Sequence, residues 1–330
     1  MGSEARKRIG AENGRGGSLI GLLSRMPDEE SCARWLLEHE NPGGWRCPRC
    51  GCATCSPVRG RPHSFQCTRC RKQVSVTAGT CMHGTKAPLR AWVAAMWLAS
   101  HSRRGVSGLE LARVAGVSEN CADYMLRRLR AALASPCAHS VLDGAVELDD
   151  FYVGARRGGV GRGTRKSKMI ACVEEAEPGG RRGRCVIRSV EGIAGGDYRL
   201  FAHDHVCRSA EVHSDMWVGI RGGLAAWGGL DARPFDASDP VASLPVAHHV
   251  ISNFKAFLAG TCHGVRDLDL QSRADEFSWR YSHRDSDDPL GDMLAAACAG
   301  RIRRADIPGL ATAQPEQPMM GHHKPRRAVS

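Results

Sequence analysis

No stretch of this 330-residue sequence is apolar enough to enter a bilayer. The longest apolar run, AWVAAMWLAS at 91–100, falls far short of the roughly 20 residues that a spanning helix needs, so no membrane role is expected. No secretory signal precedes the cysteines and their number, 15, is odd, which argues against an oxidised disulfide framework and for a protein of the reducing cytoplasm. Acids are in deficit: 35 Asp and Glu face 46 Lys and Arg, a formal charge of +11, and such an excess suits an acidic polymer, nucleic acid above all. What is present in quantity is apolar residue content, 42%, enough for at least one full core in a chain long enough for two or three domains.

Residues 1–26 are expected to be disordered, the first seventeen being glycine-rich and charged without periodicity. Residues 27–85 read as a helix followed by a zinc ribbon. Asp28 can cap the helix, Glu29 and Glu30 sit in its first turn, and Cys32, Trp35 and Leu36 recur at helical spacing. Then come Cys47-x2-Cys50 and Cys67-x2-Cys70, a spacing that brings four thiolates around one structural Zn2+ in a segment too small to bury a core without it. Cys52 and Cys55 form a third pair. The matching knuckles Pro48-Arg49 and Thr68-Arg69, and strand-like SFQC and KQVSV, favour 47, 50, 67 and 70 as the ligands.

Residues 86–136 read as helices. Pro88 opens one with Leu89, Trp92, Val93, Met96 and Trp97 on one side; Gly116 then separates a short helix from a second, capped by Ser118 and carrying Ala122, Met125, Leu126, Leu129 and Leu133. This is a helix-turn-helix pattern in which Arg127, Arg128 and Arg130 are expected on the exposed side as DNA contacts, a plain helical hairpin being the alternative. Residues 137–304 change character. Three strand-like runs, GAVELDDFYVGA, KSKMIACVEEA and RCVIRSVEG, open a mixed α/β domain as a meander, and 305–330 are expected to be a disordered tail. The strand connections are basic, with Arg156, Arg157, Arg162, Arg165, Lys166 and Lys168 in the first.

On an extended strand Glu147 and Asp149 share one face while Leu148 and Asp150 share the other, so two carboxylates lie together where only a cation between them would relieve their repulsion. Asp215, in AEVHSDMWVGI, is a second candidate acid, and HHVISNFKAFLAGTCHGV at 248–265 gathers polar groups on an apolar helical pattern. The two aspartates suit hard cations, and two Mg2+ or Mn2+ ions about 3.5 to 4 Å apart would serve in-line phosphodiester displacement.

In order along the chain, CPRCG, QCTRC, VELDDFYVG, HSDMWVGI, HVISNFKAFLAGTCHGV and DEFSWRYSHR resemble bacterial insertion-sequence transposases that join a zinc ribbon to a ribonuclease-H-like nuclease domain. The resemblance covers about residues 27 to 285. It implies a mixed sheet with flanking helices, Asp149 and Asp215 as the first two metal-binding acids, and, as in one branch, Asn253 as the third ligand with Lys255 completing the set. It departs from the family pattern at Asp150, Met216-Trp217, Ile220 and the SHR at 282–284. It further implies binding of double-stranded DNA at element ends and target, strand cleavage and transfer, a homo-oligomer on DNA, and residence at the bacterial nucleoid. Two rivals follow: an inactive zinc-dependent DNA-binding protein, and a nuclease without strand transfer. Within the site, residues two apart on a helix diverge, so Asn253 and Lys255 reach one point only near a helix start. Glu276, on a helix with Leu270, Ala274, Phe277 and Tyr281, is the competing third acid.

Overall fold

The computed structural model describes residues 17–102, 104–134, 141–154, 166–176, 183–215, 217–227, 229–233, 243–262 and 267–307. Arg156, Arg157, Arg162, Arg165 and Met216 lie outside the described residues, as do residues 1–16 and 308–330.

A short helix forms inside the stretch 1–26 expected to be disordered. The Ser18 hydroxyl accepts from the Gly21 N–H at 3.0 Å and starts α1 (Leu19–Ser24), whose Leu22 is buried against the helices that follow, so a cap and one anchor suffice for this short turn. Helix α2 (Glu29–Glu40) opens on the expected Asp28, which forms a capping box with Ser31. Glu29 does not serve its own helix. Its carboxylate accepts from the N–H groups of Leu89 at 2.7 Å and Arg90 at 3.3 Å, and so caps α3 (Leu89–His101), whose N-cap Pro88 offers no side-chain acceptor.

The ribbon is a three-stranded antiparallel sheet of β1 (Cys55–Val58), β2 (Arg61–Cys67) and β3 (Gln73–Ser75), with Phe65 buried beneath it. His63 of β2 lies 3.3 Å from the Glu29 carboxylate, tying the ribbon to the same helix junction. Helices α4 (Gly108–Ala115) and α5 (Glu119–Leu133) are joined through Gly116, whose φ of 67° is a left-handed cap that favours glycine, and Ser118 caps α5 as expected. Their core with α3 includes Trp92, Met96, Leu111, Met125 and Leu129. Helix α10 (Pro289–Cys298) completes that core with Leu290, Met293, Leu294 and Ala297. By packing, this segment therefore belongs with the N-terminal helices rather than with the domain expected to run to 304: its apolar stripe at i, i+3, i+4 and i+7 is buried against α3.

The second unit is a five-stranded sheet of β4 (Ala145–Val153), β5 (Ser167–Glu174), β6 (Cys185–Val190), β7 (Glu211–Asp215) and β8 (Gly229–Arg233) in the order β6-β5-β4-β7-β8. The expected meander β4-β5-β6 is antiparallel, and β4, β7 and β8 run parallel. On one face, Val146, Leu148, Ile170 and Val212 pack with α6 (Gly195–His205) and α7 (Val218–Gly223). On the other, Phe151, Met169, Ala171 and Ile187 meet α8 (Pro245–Cys262) and α9 (Asp267–Ser282) through Val250, Phe254, Phe257 and Phe277. This is the ribonuclease-H-like arrangement expected: a mixed sheet flanked by helices.

The free edge of β6 is sealed by side chains. Ser282, Ser278 and Gln271 of α9 accept from the N–H groups of Cys185, Ile187 and Ser189 at 3.1, 3.1 and 2.7 Å, which removes a template for edge pairing. The opposite side of α9 faces α5. Asp269 pairs with Arg127 at 2.9 Å, and Glu276 receives the Arg130 Nε at 2.6 Å, with Arg273 and Arg280 at 3.8 and 3.9 Å. Burial alone would raise the Glu276 carboxyl, but the three guanidiniums outweigh it and hold the group below the usual range.

Candidate active site and metal centre

Two backbone turns of one design bring the cysteines together. Cys47 N–H bonds to the carbonyl of Cys52 and Gly51 N–H returns to Cys47; twenty residues on, Cys67 N–H bonds to Lys72 and Arg71 N–H returns to Cys67. The Sγ atoms of Cys47 and Cys70 are 3.5 Å apart, those of Cys50 and Cys67 are 3.6 Å apart, and all four lie within 4.8 Å of one another. Tetrahedral Zn2+ with Zn–S bonds near 2.3 Å requires sulfur separations of about 3.8 Å, so the four thiols fit one ion. Among the described residues no other group of three or more His, Cys, Asp or Glu is so gathered. Cys52 is turned to Thr54 Oγ1 at 3.4 Å and Thr68 Oγ1 at 3.8 Å, and neither it nor Cys55 joins the cluster.

The carboxylates come from the sheet. Phe151 packs under α8, so Asp149, two residues back on β4, faces α8 as well, while Asp150 faces away and accepts from Tyr198 Oη at 2.7 Å. Leu148 of β4 pairs in parallel with Ser214 of β7, which sets Asp215, one rung further at the carboxyl end of β7, beside Asp149 on the same face. Asp215 Oδ1 also accepts from the Trp217 N–H at 3.1 Å, which fixes the turn into α7. Glu147 is not part of this pair. It is buried, and its Oε2 accepts from the Ala247 N–H at 2.7 Å, pinning the first turn of α8 to the strand.

That pin sets which flank of α8 overlooks the aspartates. His248 Nε2 stands 3.3 Å from Asp149 Oδ2, and Lys255, seven residues on and so on the same flank, holds its Nζ 5.4 Å from the Phe151 ring centroid. The hydrogen bond with Asp149 raises the His248 pKa above its ordinary value against the opposing effect of burial. Lys255 is shifted the other way: burial lowers it, Asp149 opposes, and Lys166 adds to the lowering. Asn253 is exposed on the far flank, where its Nδ2 is 2.9 Å from His249 Nε2. The structure thus brings Lys255 to Asp149 and does not bring Asn253, for the reason already visible in the helical repeat: i and i+2 diverge, and both residues lie well inside α8 rather than at its start. His248 is the residue the sequence reading missed, although its spacing of seven from Lys255 was a usable signal. Glu276, the competing third acid, is buried among arginines on the side of α9 that faces α5, away from the two aspartates.

The arginines of α5 require a correction. Arg128 and Arg130 are buried and Arg127 is paired with Asp269; they are not an exposed DNA-facing row, because α9 and the segment at Ile302 cover that side of the helix. Lys168 donates to the Glu191 carbonyl at 2.9 Å, at the other end of the meander loop from β4.

The second unit is thus a ribonuclease-H-like sheet carrying two aspartates on adjacent parallel strands. Residues 141–282 match the family model of the ISXO2-like transposase domain. No curated protein and no solved structure matches the chain. No helix among the described residues is long and apolar enough to cross a membrane.

Proposed function

We propose that the chain is the DNA transposase of an insertion sequence, binding the ends of its element as an oligomer at the bacterial nucleoid, cutting a strand there and joining the new 3' end to target DNA. The observation that carries this reading is that Asp149, midway along β4, and Asp215, at the carboxyl end of β7, face the same side of adjacent parallel strands inside the segment that matches the transposase family. The two carboxylates offer hard oxygen donors suited to Mg2+ or Mn2+, which commonly bind through one or two carboxylates and complete their shell with water and phosphate oxygens. Such cations, when bound, activate the attacking oxygen and offset charge on the leaving one. Lys255, on the α8 flank above Asp149, would hold a non-bridging oxygen of the scissile phosphate. His248 fixes the Asp149 carboxylate from the same flank. Asn253 stands outside this set. Zinc held by Cys47, Cys50, Cys67 and Cys70 would keep the ribbon folded.

The test is a joining assay with a DNA fragment carrying the element ends, a supercoiled target plasmid and Mg2+. Joined product that disappears in Asp149→Ala supports the reading. Cleavage without joining marks a plain nuclease, and end binding with neither marks a regulator.

A further inference from the structure

From Asn41 to Leu109 the chain contains no Asp or Glu at all. Within that span the ribbon exposes Arg49, Arg59, Arg61, Arg69, Arg71 and Lys72, so its surface charge is of one sign. The contrast with α5 is complete, since the exposed first half of that helix carries Glu119 and Asp123 and its arginines are buried or paired. A second observation concerns the backbone. The two cysteine turns are equivalent, and each needs a left-handed residue four positions after its first cysteine. In the first turn that residue is Gly51, with φ of 71°; in the second it is Arg71, with φ of 61°, the only non-glycine residue at positive φ among the described residues. Glycine adopts this conformation freely and an arginine does not. The local fold would be better served by glycine, so folding does not account for the guanidinium, which stands exposed beside Arg69 and Lys72 on the knuckle.

We propose that the zinc knuckles, through Arg49, Arg69, Arg71 and Lys72, are the surface that grips the DNA phosphate backbone, and that the α4–α5 pair is a strut between ribbon and nuclease domain rather than the groove-reading element. Zinc acts here by pairing the two turns, so that cations twenty residues apart form one phosphate-binding surface. The partner is double-stranded DNA, as the proposed function requires, and this inference rests on that reading.

The experiment uses the full-length, zinc-loaded chain and measures affinity for duplex DNA across a range of KCl concentrations. Each phosphate contact contributes about 0.9 to the slope of log affinity against log salt. Arg71→Gly should melt at the wild-type temperature or above it, yet bind with a slope shallower by about one; Arg49→Ala with Arg69→Ala should lose about two, and Arg127→Ala none. If Arg71→Gly and the double variant keep the wild-type slope while the chain still cleaves DNA, the surface is elsewhere and only this inference falls. If the wild-type chain neither binds nor cleaves DNA, the transposase reading itself falls. Tighter binding of RNA than of duplex DNA would also overturn the assignment.

Discussion

The zinc centre and the carboxylate site are built on opposite plans. In the ribbon, four cysteines sit in two short turns of identical hydrogen bonding, and their sulfurs converge within 4.8 Å through local structure. The carboxylate site draws Asp149 and Asp215 from strands 66 residues apart in sequence, and its overlooking helix is positioned by yet another residue, Glu147. A metal that folds a small module needs all its ligands from that module; a catalytic metal must leave coordination sites for water and phosphate, so two protein oxygens and a cation on the rim suffice. On this account the ribbon would need a bound ion to fold, whereas the carboxylate frame, held by a packed sheet, would not.

The sharpest way to break that comparison is to remove one ligand from each centre. Cys67→Ser should release the zinc and unfold the ribbon, while Cys52→Ser should do neither; zinc content by atomic absorption and circular dichroism read both outcomes. Equal zinc loss in Cys52→Ser would mean that the ligand set is wrong.

Next in size is the contact that joins the two halves. Glu276→Ala would leave Arg130, Arg273 and Arg280 buried around a vacated carboxylate, and should cost about 3 to 5 kcal/mol in a denaturant titration. Because the folded Glu276 is held below its ordinary value of 4.5, its contribution is full above that pH and is lost as the pH falls below it. Wild type should therefore lose stability on acidification over a range in which the Glu276→Gln variant, already lacking the charge, changes less.

Smaller effects sort the two flanks of α8. Lys255→Ala should slow cleavage by roughly thirtyfold, the equivalent of a charge-assisted contact worth about 2 kcal/mol. Asn253→Ala, on the exposed flank, should change cleavage and stability by no more than about 0.5 kcal/mol. A cleavage loss in Asn253→Ala as large as in Lys255→Ala would show that α8 turns when DNA binds.

Much of this was legible in the chain. The cysteine spacing, the Asp28 and Ser118 caps, the Gly116 turn and the alternation that puts Asp149 and Asp150 on opposite faces are local properties, and each appears where the pattern places it. What the chain alone did not reveal depends on tertiary partners. The exposure of Arg127, Arg128 and Arg130 turned on the side to which α9 would dock, and the destination of 289–298 on which core lay open to its stripe. The role of α8 depended on its rotation, which Glu147 sets from a strand about a hundred residues away.

The most direct test of the account is Mg2+-dependent cleavage of DNA carrying the element ends by wild type, Asp149→Asn and Asp215→Asn, each checked for a full zinc complement. Asparagine keeps the shape and removes the charge that holds the metal. The account predicts that both variants retain zinc and end binding and lose cleavage by at least about a thousandfold. Cleavage at the wild-type rate by both would contradict it, because the paired aspartates would then have no part in the chemistry.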